Sequence, residues 1–485
     1  WEAMAPLLLI WILVPSVAGM WKSSNHQSIN EAYTNLLEAE IGNGFWSGNL
    51  QGSEYFGLSL DSEDPNDYTL RGLSEKFNVS LNYAQGASQC TNNKGKKCVA
   101  LVMLAGLLQE DITKRVGTAC PEIQGDDVRG CAFICGLMSN LMWHAEVLAK
   151  EMKEDYVLDV IVMHDETLNK QILNLIHRLG ARTLKLDPSV KRMACHGYLN
   201  VSPSRIIENR LNHEVCEHAP FDGKHFNRFH RMMLVESLKL GAASLTEYDV
   251  IIHNDVDIFI ESTSDLEEEI DYFVKNPKIM MMARIGAASP LNAGHWLMRP
   301  SMKAVGLWLE DMQGGFTTKD GWGKAGQVVP QISEIYGDHS PKLHPGNWDF
   351  TGSQLDQGLL FHVFAVKLHG YYATGGKAMK IVLEKLDYKG DPINFVDPKF
   401  GDHGPGIRHY CGHGKPWDEN ACSNKLVTCD RKVLLARLMN RLYPIVEKHP
   451  LSKKSDFMKK FCVSRLKTGY TSCAPFENNR RSDNC

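Results

Sequence analysis

At 485 residues, with 43% hydrophobic and 23% charged residues and a net charge of −4, the chain has a globular composition, with room for one enlarged catalytic domain and flanking regions. That charge balance argues against a nucleic-acid binder.

The chain opens on an apolar stretch, Leu7 to Val14, followed by the small residues Ser16, Val17, Ala18 and Gly19. The stretch is shorter than the ~20 residues a bilayer span needs, so residues 1–19 are expected to be a signal peptide, with no transmembrane span. Residues 20–130 mix Gly, Ser, Asn and Asp with short apolar pieces and form an N-terminal extension. Its one helix-like run is CVALVMLAGLLQEDITKRV (98–116), and ACPEIQGDDVRG (119–130) has the composition of a linker.

From Cys131 strands and helices alternate. CAFICGL (131–137) is expected as a buried strand, MWHAEVLAKEMKE (142–154) as a helix and YVLDVIVMH (156–164) as a strand. ETLNKQILNLIHRLG (166–180) is an amphipathic helix ending at Gly180, and RTLKL (182–186) is again a strand. This alternation predicts βαβ units and a mostly parallel sheet, an α/β domain over 131–420 whose ligands bind beyond the carboxyl ends of the strands. A helix over 226–241 leads into EYDVIIHNDVDIFIES (247–262), which places Asp255 and Asp257 at the end of a central strand.

Residues i and i+2 of a strand share a face, and two carboxylates so placed suit a divalent cation, whose charge removes the cost of bringing them together. Taken alone, D-x-D also fits a polar strand end in solvent. Residues 421–485 form a basic, Cys-bearing tail with one amphipathic helix, RKVLLARLMNRLYPIVEK (431–448), whose charge is most simply a solvated surface. The thirteen cysteines include no C-x-x-C pair. Disulfides are therefore expected, with Cys131 or Cys135 as the odd free thiol. N-glycan acceptor tripeptides at Asn78 and Asn200 agree with a secreted chain or one in the lumen of the secretory pathway.

The order SLTEYDVIIHNDVDIF, LNAGHWLMRPS (291–301), SQLDQGLL (353–360), HYCGHGKPW (409–417) resembles the motif series of glycosyltransferase family 8, the glycogenin-like enzymes. The H-x-x-G-x-x-K-P-W string is complete in His409, Gly412, Lys415, Pro416 and Trp417. The resemblance implies a retaining GT-A enzyme, a Rossmann-like nucleotide-diphospho-sugar transferase. Asp255, Asp257 and His409 would hold Mn2+ on the diphosphate of a UDP-sugar, and Asp255 would also face the donor. Gly412 would let backbone approach the phosphates and Lys415 would supply charge to them. Asn292 and Gly294 would lie by the donor sugar. Trp417 is either core or a cover for the nucleotide.

Asp356, Gln357 and Lys239 match the family's residues around the anomeric centre. The favoured route is a same-face displacement in which the departing phosphate takes the acceptor proton. A covalent route through Asp356 is the other. Expected partners are a UDP-sugar, with UDP-glucose first, a carbohydrate, glycoprotein or glycolipid acceptor, and a second copy in a homodimer. The glycogenins of that family place a Tyr that receives their own glucose before the last motif, and DPINFVDPKFGDHGPGIRHYCG (391–412) holds none before Tyr410, so self-glucosylation is not expected. Two rivals stand beside this reading: a metal-dependent nucleotide-sugar or phosphodiester hydrolase, and a secreted sugar-binding protein that kept the fold without turnover.

Overall fold

A computed structural model describes residues 68–92, 95–106, 126–166, 168, 170–199, 236–275, 280–283, 289, 291–317, 320–323, 348, 350, 352–367, 406–410 and 414–476. The expected signal peptide, the acceptor Asn200, residues 226–235 of the expected helix, Gly412, and Cys120, Cys411 and Cys485 lie outside these residues.

Helix α1 (Leu70–Phe77) starts at Thr69, whose hydroxyl accepts from Gly72 N, and stops at Asn78, which is exposed and turns left-handed at φ 51°. Strand β1 (Lys97–Ala105) follows. It is buried on both faces: Ala100, Val102 and Leu104 point into one core layer, and Val99, Leu101, Met103 and Ala105 point to the other side.

Helix α2 (Asp126–Trp143) continues through a wide turn at His144–Leu148 to Glu151. Strand β2 (Tyr156–His164), helix α3 (Lys170–Arg178), β3 (Arg182–Lys185) and α4 (Pro188–Leu199) come next, with Gly180 at φ 80° ending the α3 segment. A tight helical segment, Ser237–Ser244, leads to β4 (Val250–Asn254) and β5 (Ile258–Ile260). Then come α5 (Thr263–Lys275), β6 (Met281–Ala283), β7 (His295–Met298), α6 (Met302–Gly314) and the short strands β8 (Phe316–Thr317) and β9 (Gly321–Trp322). Helix α7 (Asp356–Phe361), β10 (Ile407–His409), α8 (Cys429–Lys448), α9 (Pro450–Lys454) and α10 (Val463–Cys473) complete the described elements.

The main sheet has the order β3-β2-β1-β4-β7-β6. Strands β1 to β4 run parallel, and β7 is antiparallel to both β4 and β6. The fold is thus α/β with a mostly parallel sheet, as the alternation predicts. From β1 the chain builds outward to β3 and then returns to the other side of β1 as β4. At such a reversal α/β sheets take their ligands at the carboxyl ends of the flanking strands, here β1 and β4.

Two expectations exchange places. Residues 98–105, expected in a helix, form the central strand, and CAFICGL, expected as a strand, lies in α2. A run buried on every side carries no period, so a core strand and a core helix look alike in sequence. Length separates them: the apolar pattern after Cys131 extends to Trp143, beyond a strand's reach. The sheet therefore includes residues before 131, and Leu73 and Phe77 of α1 belong to its core. Cys131–Glu151 is long and apolar enough to cross a membrane, yet most of it is buried within the protein.

The amphipathic helix expected in the tail is α8. Its Leu435, Leu438, Met439 and Leu442 join Cys135, Met138 and Met142 of α2 in one core layer. Disulfides Cys135–Cys462 and Cys422–Cys473 hold this layer together. Cys131 is bonded as well, so neither expected free thiol is free. The free cysteines among the described residues are Cys90 and Cys98.

Candidate active site

The acidic pair arises differently from the expectation. Strand β4 ends at Asn254, and residues 255–257 form a turn closed by Ile258 N donating to Asp255 O at 2.9 Å. Val256 between them is buried in the core, which turns both carboxylates to the opposite side. The two acids converge because the chain bends, not through strand alternation.

After the turn, β5 pairs antiparallel with β10, His409 opposite Ile258, and Tyr410 N donates to Asp257 O at 2.9 Å. This register brings His409 Nε2 to 3.2 Å from Asp257 Oδ1. One ligand atom each from Asp255, Asp257 and His409 lies within 4.8 Å of the others. Donors each about 2.1 to 2.5 Å from one ion stand about 3 to 5 Å apart, so a single divalent cation fits the trio. The set of two oxygens and one imidazole suits a borderline transition ion.

Neighbouring residues fix this geometry. The His409 ring needs Gly294, where a Cβ would fall 2.7 Å from His409 Cε1. Gly294 O accepts from Asp255 N at 2.8 Å, and Gly294 N donates to Asn292 Oδ1 at 2.7 Å. The Asn292 carboxamide therefore closes a turn that shapes the metal site. His253, stacked on Trp296 with centroids 4.9 Å apart, lies with Nε2 3.2 Å from Asp255 Oδ1. Burial pushes its imidazole down to about 4, so it is neutral at pH 7 and donates to the carboxylate.

Lys239 is the hub. Its ammonium is buried, 2.7 Å from Asp255 Oδ1 and 2.5 Å from Asp356 Oδ2, and donates to Ala293 O at 3.3 Å. Burial works against its charge, but Asp255, Asp356 and Glu236 outweigh that and raise its pKa. Burial likewise penalises Asp255, yet Lys239 and His253 hold it down at about 2. Asp257, partly buried, is held well below the usual carboxylate range by His409 and Lys415. Asp356 is raised, chiefly by burial, against the pull of Lys239. Burial and the neighbouring Asp356 push Glu236 up to about 8.

Of the residues singled out in sequence, Asp255, Asp257, His409, Lys239, Asp356, Lys415, Asn292 and Gly294 meet in one place. Lys415 pairs with Asp257 Oδ2. Gln357 follows at the start of α7, where its backbone N donates to Asp356 Oδ1 at 2.8 Å and its side chain lies against Gly352. Trp417 is not brought to this group. Its ring is in the core against Gly136 of α2, which answers the open choice between core and nucleotide cover in favour of core.

Sequence reading missed three residues. Asn140 on α2 donates from Nδ2 to Val256 O at 2.7 Å and Ile258 O at 2.8 Å, satisfying the carbonyls the turn leaves over. Nothing in a helical sequence around Asn140 signals that. His253, in the strand beside the D-x-D, and Glu236, three positions before Lys239, were legible only as neighbours of motif residues.

No protein-family model matches the chain, and no curated protein matches it. Among solved structures it is similar to mouse xyloside xylosyltransferase 1, at 13% identity and a TM-score of 0.29 over 57% of this chain and 83% of that one. It is also similar to the WbbM bifunctional glycosyltransferase, at 11% identity and a TM-score of 0.35, covering 79% of this chain and 53% of that one. For the glycosyltransferase GlyE of Streptococcus pneumoniae TIGR4 the values are 11%, 0.30, 77% and 64%. The chain thus spans about half to two thirds of the length of the latter two.

Proposed function

We propose that the chain is a GT-A-type, manganese-dependent, retaining glycosyltransferase that moves a hexose from a UDP-sugar to a hydroxyl of a glycoprotein, polysaccharide or glycolipid in the secretory pathway. UDP-glucose is the first donor to test. The meeting of Asp255, Asp257 and His409 beside the Lys239–Asp356 pair is the observation that carries the reading. It joins the separate motifs of the family 8 series into one centre. Disulfides Cys135–Cys462 and Cys422–Cys473 suit an oxidising lumen.

Asp255, Asp257 and His409 would hold the Mn2+. When bound, the ion supplies Lewis-acid charge against the pyrophosphate. The protein's own residues do the rest. Lys415 adds a point charge for the phosphates. Lys239 keeps Asp255 and Asp356 in fixed positions. Asp356 offsets the positive charge that develops at the anomeric carbon in an oxocarbenium-like transition state. The acceptor oxygen bonds to that carbon on the face from which the phosphate oxygen leaves, and the departing phosphate takes the hydroxyl proton. No protein base is required.

The test is release of UDP from UDP-glucose and other UDP-sugars with Mn2+, with the anomeric configuration of the product read by NMR. Asp257→Ala is expected to lower kcat/KM by about a thousandfold or more, equivalent to about 4 kcal/mol of transition-state stabilisation. Release of phosphate or nucleoside instead of UDP would identify the hydrolase. Retention of a sugar nucleotide with no turnover in any donor screen would identify the binding protein.

A further inference from the structure

We propose that the exposed lysines at the far end of α8 form a docking surface for a polyanionic polysaccharide, separate from the donor site. Residues 421–476 hold twelve Lys and Arg against three Asp and Glu, a net +9. Because the whole chain is −4, the remainder carries −13. Charge so divided is not the even mixture of an ordinary solvated surface.

The excess is concentrated further. Lys448 ends α8, Lys453 and Lys454 end α9, and Lys459 and Lys460 lie on the turn Phe457–Cys462 that packs against α9; all five are exposed. Asp456 pairs with Lys460 at 3.3 Å, while Glu447 is taken up by the Tyr443 hydroxyl. Among the described residues, Lys448, Lys453, Lys454 and Lys459 have no carboxylate partner.

Three features select the partner. Leu451, Phe457, Met458 and Phe461 beneath the lysines are all buried, so among the described residues of these elements no large apolar side chain projects to enter a bilayer. The disulfides of the same layer belong to an oxidising compartment, which nucleic acid does not share. Lysine ammoniums on flexible stems, spread over three adjacent elements, match a flexible chain carrying repeated sulfates or carboxylates better than one fixed phosphate, which favours the bidentate fork of Arg. The surface would hold an acidic glycan, or a glycoprotein bearing one, near the enzyme.

The full chain with its disulfides intact is tested against heparin oligosaccharide, as the sulfated probe, and polygalacturonate, as the carboxylated one. Replacing Lys453, Lys454, Lys459 and Lys460 with Gln should weaken binding at least about tenfold near 0.1 M salt and flatten its salt dependence, because fewer counterions are released. The charge-matched control, Gln at Lys96, Lys97, Lys170 and Lys275, should leave binding within about twofold of the parent. The proposal fails if neither polymer binds, if the control weakens binding as much as the α9 variant, or if phosphatidylserine vesicles or duplex DNA compete better than both polymers. Binding is read without turnover, so failure here is distinct from failure of the transferase reading.

Discussion

Two clusters of buried charge in this protein are built from similar groups but end differently. Between α6 and the turn after α7, Asp311 lies fully buried with His362 Nδ1 at 2.5 Å from one oxygen and Lys367 Nζ at 2.7 Å from the other. Lys367 also reaches Glu310 at 3.4 Å, and Glu310 takes Lys76 at 3.2 Å. Each acid there meets a base. At the carboxyl end of β4, Asp255, Asp257, Asp356 and Glu236 share, among the described residues, only Lys239 and Lys415 with the imidazoles of His253 and His409, and the Asp255 side chain keeps 30% of its surface open. A balanced cluster locks helices together. An acid-rich cluster reaching solvent has room for another cation, so the difference in charge count distinguishes a structural lock from a site.

Removing Lys239 tests the unbalanced cluster most severely. Lys239→Met leaves Asp255 and Asp356 facing each other without their buried partner. Breaking such a pair costs about 3 to 5 kcal/mol. The metal-free variant should therefore melt well below the parent, and turnover should fall at least about a hundredfold. Added Mn2+ should raise its Tm more than it raises that of the parent, because the ion then supplies charge the lysine no longer does. Equal shifts in the two proteins would show that Lys239 and the metal do not share a charge deficit.

Asp311→Ala is the counterpart at the balanced cluster. It strands the buried His362 and Lys367 and should cost about 3 kcal/mol or more, read by urea unfolding. Mn2+ affinity, read by titration calorimetry, should stay within about twofold. A large loss of metal affinity would mean that the two clusters are coupled through α7, which carries Asp356 at its start.

Asn140→Ala touches the site only through backbone. The substitution leaves the buried carbonyls of Val256 and Ile258 without their donor, at about 1 to 3 kcal/mol. Because those carbonyls flank Asp257, Mn2+ affinity should also fall by about tenfold, the usual range for a residue that orients ligands from behind. Lost stability with unchanged metal affinity would reduce Asn140 to a helix-to-turn tie.

Asn140 also marks where sequence stops being legible. Motif residues could be read because their types and order are restricted: the D-x-D, His409 in its string, and Lys239 before a strand. The α3 segment ending at Gly180 and the amphipathic α8 could be read from period and punctuation. The β1 and α2 runs exchanged identities because burial on all sides erases periodicity. Trp417 stands in the same string as His409 yet lies in the core, so nearness in sequence did not place its ring at the site. The resemblance grouped Lys239 with Asp356, but no local pattern showed their ion pair or the one with Asp255. Asp255 and Asp356 come within reach of the lysine only when α7 and β4 meet.

Glu236 is probed through pH rather than through a lost contact. Its folded carboxyl is pushed up to about 8, from an ordinary 4.5, by burial and by Asp356. As pH rises from about 4.5 to 8 the unfolded chain releases this proton while the folded chain keeps it, so stability from this group falls across that window. Asp255 and Asp257 have the opposite sign: their pKa values are depressed, and the stability they contribute is fully present above about 4 and lost only in stronger acid. They add no slope between pH 5 and 8. Glu236→Gln should therefore flatten the stability profile of the metal-free protein in that window, measured as the urea midpoint against pH, and leave the acid limb in place. Mn2+ should flatten the parent's profile in the same way, because a cation beside Asp255 and Asp257 favours the ionised form of Glu236 and removes its proton before unfolding does. Equal slopes in the parent and Glu236→Gln from pH 5 to 8 would mean that Glu236 is ionised in the fold and that the acid excess at this end of the sheet is one charge larger.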